Sequence, residues 1–233
     1  MCGRYSLIFI DDLGNRFRVF NPMIGLRSRF NIAPGNEMPV IVHDDKNADK
    51  KNIVLMKWGL VPHWTRDICS AKRSINARAE SLLEKPSFAG LLKNRRCLVP
   101  ASGFFEWKKE GTKKIPFYIN LPKSPLFAFA GLYDQWNDPE GNPLLTYTII
   151  TVEPNVLVSK VHNRMPSILS RENEERWLSK TALNAGDLKE ILTPFPAENL
   201  SMHPVSPLVN TPETDDERVI QPMDSSDYQL TLY

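Results

Sequence analysis

The feature that most constrains this chain is a succession of short segments rich in β-branched and aromatic residues. PVIVHD (39–44), KNIVLMKWGL (51–60), RCLVPAS (96–102), GFFEWKK (103–109), IPFYINL (115–121), LFAFAGL (126–132) and LLTYTIITV (144–152) all have the length and composition of strands. FFEWKK and IPFYINL flank EGTKK, which predicts a hairpin. The 19 prolines are scattered along the chain, which suits many short strands and disfavours long helices. Helices are expected over 78–94 with a break at Pro86, over 154–161, and over 170–180, where acids occupy the first turn. The pattern predicts a single α+β domain, mostly antiparallel β, with a few peripheral helices. From Glu213 onward six acids face one Arg, so part of this stretch is expected to be a mobile tail.

With 233 residues and 42% hydrophobic content, the chain can bury a sizeable core. It has no run of about 18 apolar residues and no signal-peptide pattern, so the expected location is the cytoplasm, without membrane insertion. Cys2, Cys69 and Cys97 show no C-x-x-C spacing, which argues against both a disulfide framework and a zinc site. The net charge of +2 conceals an asymmetry. Residues 1–120 carry 21 Lys and Arg against 11 Asp and Glu, and residues 121–233 carry 8 against 16. A basic half attracts polyanions such as nucleic acid, although a solvated surface has the same composition.

The cysteine behind the initiator methionine lies in the basic half. Removal of Met1, expected before a small residue, would leave Cys2 with an α-amine and a thiol on adjacent carbons. Such a 1,2-aminothiol traps aldehydes: the amine forms a Schiff base and the sulfur closes a thiazolidine. In model peptides the amine titrates at about 7.7–8.0 and the thiol at about 8.5, so both reactive forms exist near neutrality, and a nearby cation such as Arg4 would raise the thiolate share.

Other motifs add candidates, each with a structural alternative. In SINARAES (74–81), Asn76 and Arg78 share one side of an extended strand, where they could hold a phosphate or simply fix a loop. In GFFEWKK, alternation puts Phe104 and Glu106 on one face and Phe105 and Trp107 on the other. A Glu106 buried among rings would exchange protons near pH 7, whereas a half-exposed one would meet a surface Lys. VHNRMPSIL (161–169) offers His162 as a proton shuttle and Arg164 as a second cation. Trp58, Trp64 and Trp107 could stack on the bases of a single strand or pack in the core. No dinucleotide-binding glycine motif or metal-ligand cluster occurs, so neither cofactor nor metal is expected.

Taken in order, MCGRY, RFNIAPG (29–35), KWGLVPHW (57–64), INARAES (75–81), RRCLVPASGFFEWKK (95–109), VHNRMPSIL and HPVS (203–206) resemble the SRAP family, the SOS-response-associated peptidases or abasic-site-processing proteins. The resemblance runs to about Pro222. It implies one domain over 1–222 with a tail over 223–233, and a fold of open, barrel-like sheets. It implies that Cys2 links covalently to abasic sites in single-stranded DNA. It assigns Asn76 to holding the open sugar and the N-terminus, Glu106 to ring opening and proton transfer, and His162 to forming and reversing the cross-link. Arg4, Arg78 and Arg164 would contact phosphates, while Pro34, Trp64 and Trp107 would line the groove. A monomer, associated with the nucleoid when bound to DNA, is expected, with lyase-like chemistry. Two alternatives stand beside this: a peptidase with Cys2 as N-terminal nucleophile, and a purely non-covalent single-strand-binding module.

Overall fold

The computed structural model describes residues 2–21, 25–44 and 50–223. Its strands are β1 (Arg4–Leu7), β2 (Arg29–Ile32), β3 (Glu37–His43), β4 (Lys51–Trp58), β5 (Asn76–Arg78), β6 (Arg96–Ala101), β7 (Gly103–Glu110), β8 (Lys113–Asn120), β9 (Phe127–Asn137), β10 (Pro143–Val152), β11 (Met165–Pro166) and β12 (Ser201–Pro204). Four short α-helices accompany them: α1 (Leu13–Phe17), α2 (Pro86–Ala89), α3 (Arg171–Leu178) and α4 (Ala185–Ile191). Each segment expected to be a strand is one.

Five strands form an antiparallel sheet in the order β12-β8-β7-β1-β2. In the second sheet β10, β4, β3, β6 and β9 follow one another, and β9 pairs back onto β10, so these five strands close on themselves. Closure removes the free edges that a small open sheet would expose. Two pairings are parallel, β4 and β5 both lying along β10. The expected hairpin joins β7 to β8, with Gly111 at φ +59° supplying the left-handed residue that the tight turn requires.

One core fills the closed sheet and the space between the two sheets. The Tyr5 and Tyr147 hydroxyls bond at 2.7 Å, and the Tyr5 ring meets Trp58 edge to face at 5.2 Å. This aromatic cluster ties β1 of the open sheet to β10 of the closed one. Each such fully buried ring contributes on the order of 1.5–3 kcal/mol. Phe104 joins this core, whereas Phe105 and Trp107 face a smaller cluster with Tyr118, Val205 and Val209, as the alternation in β7 predicts. Gly103 is required by packing, because a Cβ there would lie 2.3 Å from the Tyr118 ring.

The helical expectations are corrected. The span 78–94 holds only a 3-10 turn at Ala79–Ser81 and the single turn of α2, and 154–161 holds only a 3-10 turn at Val158–Lys160. Arg78, at the start of the first span, is instead the last residue of β5, whose three residues run extended beside β10, as the reading of SINARAES as a strand implied. The third expectation holds as α3, capped by Ser170 accepting from the Asn173 amide. Helix α4 was not anticipated, although Asn184 and Asp187 form a full capping box. Part of the acidic stretch is docked: Asp215 accepts from the Phe30 and Asn31 amides at 2.6 and 2.8 Å, and the Met223 amide donates to the Pro204 carbonyl. Residues 224–233, the remainder of the expected tail, lie outside the described residues. No helix among the described residues is long and apolar enough to cross a membrane.

Candidate active site at the junction of the two sheets

Cys2 precedes β1 and is fully buried where the two sheets meet. Its thiol donates to the Arg4 carbonyl at 3.7 Å, and its own carbonyl accepts from Asn76 Nδ2 at 2.8 Å. Asn76 comes from β5 on the closed sheet, so the two sheets grip the same residue from opposite sides. Asn76 Oδ1 is buried and has no hydrogen-bond partner among the described residues. It is an acceptor available at the N-terminus.

From the open sheet, β7 brings Glu106, which is 2% exposed. Burial pushes its carboxyl up to about 7. His162 arrives from the other side, between the Val158–Lys160 turn and β11, with Nε2 3.9 Å from Glu106 Oε2. Burial lowers the imidazole below its usual value. An acid raised toward neutrality and a base lowered below it can exchange a proton with little driving force either way. His162 Nδ1 lies 3.0 Å from the Arg164 amide, which can donate to it, and 3.1 Å from the Arg164 carbonyl, which can accept from it, while Nε2 faces Glu106.

The thiol departs from expectation. Burial, and then the negative charge of Glu106, push it well above the ordinary thiol range, so Cys2 is held as S–H. Arg4 does not offset this with its charge. Its guanidinium points away, donating to Asn31 Oδ1 at 2.8 Å and the Val209 carbonyl at 2.7 Å. Among the described residues all three cysteines are free thiols.

The structure therefore brings Cys2, Asn76, Glu106 and His162 together and divides the arginines. Arg164 is buried, its two terminal nitrogens donating to the Glu80 carboxylate at 2.9 Å each and one also to the Thr151 carbonyl at 2.6 Å. Protein acceptors thus engage the terminal nitrogens of both Arg4 and Arg164. Arg78 is exposed. Trp64 is 50% exposed and Pro34 is exposed at a turn, while Trp107 is partly buried and donates to Asn210 Oδ1 at 2.8 Å. Trp58 is a core residue, its Nε1 bonded to the Ile75 carbonyl. The loop before β5 that carries Trp64 also exposes Arg66, Lys72 and Arg73, against one exposed acid, Asp67, which makes it a basic surface.

Residues 1–212 match the family model described as SOS response associated peptidase (SRAP). The chain belongs to the SRAP family. The abasic site processing protein YoqW of Bacillus subtilis (strain 168) is 43% identical over 225 residues, covering 95% of this chain and 99% of the relative. The abasic site processing protein HMCES of Gallus gallus is 35% identical over 227 residues, covering 85% of this chain and 67% of the relative. The crystal structure of a protein from Bacteroides thetaiotaomicron superposes with a TM-score of 0.86 at 30% identity, covering 96% of this chain and all of that one. The fold is thus that of SRAP proteins, as the motifs implied.

Two supporting residues of this SRAP site escaped sequence reading. Asn31, fully buried in β2, bonds Arg4 and donates to the Val209, Thr211 and Thr214 carbonyls, strapping the C-terminal segment beside the site. Asp134 is buried in β9 and accepts from the His63 amide and ring, fixing the imidazole against which Trp64 packs edge on. An Asn or Asp among the apolar residues of a strand was the available signal.

Proposed function

We propose that this protein processes abasic sites in single-stranded DNA by capturing the ring-opened sugar aldehyde on Cys2 once Met1 has been removed. The observation that carries the reading is the grip on Cys2 by Asn76 beside the Glu106–His162 pair. The neutral α-amine of Cys2 adds to the sugar aldehyde, and loss of one water gives the Schiff base. The thiol then adds across the C=N bond: a C–S bond forms, the nitrogen gains the thiol proton, and a thiazolidine results. The product is protein plus DNA minus water. Glu106, near pH 7 in both protonation states, serves as acid for ring opening and water loss, and His162 returns the proton. The unpartnered Asn76 oxygen accepts from the α-amine or from a sugar hydroxyl.

The relatives named as abasic site processing proteins support the same substrate. Arg78 with the basic surface around Trp64 serves the phosphates and bases of the strand. A thiolate-dependent peptidase ranks second, because a thiol held protonated by burial is a poor nucleophile toward amides. The deciding experiment mixes untagged protein with an oligonucleotide carrying one abasic site, denatures, and measures intact mass. A species equal to protein without Met1 plus DNA minus water is expected, and absent with Cys2→Ala and with intact-base DNA. No such species from protein with a free N-terminal Cys would defeat the reading.

A further inference from the structure

In the Glu106–His162 pair an imidazole proton on Nε2 faces the carboxylate, and the atoms that meet the opposite ring nitrogen belong to Arg164. Its amide donates to His162 Nδ1 at 3.0 Å, and its carbonyl lies 3.1 Å from the same nitrogen. The amide suits a ring bare at Nδ1 and the carbonyl a ring protonated there, so the amide contact, and with it the Nε2–H tautomer, depends on the Arg164 backbone staying in place. That backbone stands just before the two-residue strand β11, too short to hold it by ladder bonds alone. The buried Arg164 side chain supplies the anchor, and its anchor is Glu80 with the Thr151 carbonyl. Arg164 Nε has no hydrogen-bond partner among the described residues, so the guanidinium is held through its terminal nitrogens. Glu80 sits on the 3-10 turn after β5 with its side chain 56% exposed, remote from Cys2 in role but linked to the same strand as Asn76.

We propose that Glu80 is a positioning residue for His162, acting through Arg164 to fix the ring orientation and the Nε2–H tautomer. The assignment rests on the capture chemistry proposed above only for its effect on rate, since the tautomer itself can be read without DNA. Removing the carboxylate deletes two charge-assisted bonds and leaves a buried guanidinium to swing toward water, taking the 162–164 backbone with it.

The test uses the untagged full chain with Met1 removed. Imidazole ¹⁵N NMR of the 4 histidines, with His162 assigned through its Ala variant, reads the tautomer. Wild type is expected to show Nε2–H, and Glu80→Ala and Glu80→Gln a mixture of both tautomers. In the same variants capture of an abasic oligonucleotide is expected to slow about tenfold, part of the roughly 10²–10⁴ that general acid–base groups supply. Affinity for intact single-stranded DNA should stay unchanged, and Glu80→Asp should recover part of the rate. A wild-type tautomer population in Glu80→Ala overturns the proposal whatever the rate does. If wild type captures nothing, the functional reading fails while the tautomer result still decides the role of Glu80.

Discussion

Asn76 Nδ2 donates to the Cys2 carbonyl at 2.8 Å, and through that bond a strand of the closed sheet holds the first residues of a strand in the open one. The N-terminus of most chains frays, because nothing opposes its entropy. Here the second residue is fully buried and its orientation is set from both sides.

Substituting Asn76→Ala removes both that donor and the unpartnered acceptor. Capture of an abasic oligonucleotide is expected to slow by roughly tenfold to a hundredfold, about 1.4–2.8 kcal/mol, in a single-turnover gel assay. An unchanged rate would remove Asn76 from the mechanism.

Glu106 predicts a pH signature in stability. Its native carboxyl titrates at about 7 against an ordinary 4.5, so the folded protein binds the extra proton between these values. The stabilisation from the neutral form is complete below pH 4.5 and is lost as pH rises through 7. The loss is on the order of 3 kcal/mol. Denaturant titrations of wild type and Glu106→Gln should therefore diverge across this window, with Gln gaining relative stability toward pH 8. Wild-type capture is expected to decline above pH 7, and the same variant should lack that decline. Parallel stability profiles for the two proteins would mean that Glu106 is not held neutral by burial.

Asn31→Ala removes the donor shared by the Val209, Thr211 and Thr214 carbonyls and leaves Arg4 bonded to the C-terminal segment alone. Unfolding free energy should fall by about 3 kcal/mol, and limited proteolysis should cut residues 209–215 before the rest of the chain. Cleavage that begins elsewhere at the wild-type rate would show that the strap is held without Asn31.

Trp64→Ala removes a half-exposed ring from the basic surface. Its expected cost in single-stranded DNA affinity is about 1–3 kcal/mol, measured by fluorescence anisotropy at fixed salt. Stability should move by no more than about 0.5 kcal/mol. Wild-type affinity would exclude Trp64 from the strand's path.

Local sequence specified the strands well, because alternation and β-branched or aromatic content are properties of a few neighbouring residues. GFFEWKK predicted both the β7 strand and which core each ring would join. Helices read less well. The span 78–94 has helix-forming residues, yet only a 3-10 turn and the single turn of α2 form in it. The candidate site was legible as residue types in scattered motifs, Cys2, Asn76, Glu106 and His162 among them. Their company was not: Arg4 and Arg164 looked like free cations until Asn31, Val209, Glu80 and Thr151 took their donors.

The sequence by itself determined the seven longest strands, the family, and the presence of a cysteine that can become an N-terminal aminothiol. Only the tertiary structure decided that this thiol is protonated, that Glu106 titrates near neutrality, and that Arg4 and Arg164 bond protein acceptors. The physical reason is that solvation and charge pairing depend on which distant elements close around a group. A residue's type does not carry that information until the sheets meet.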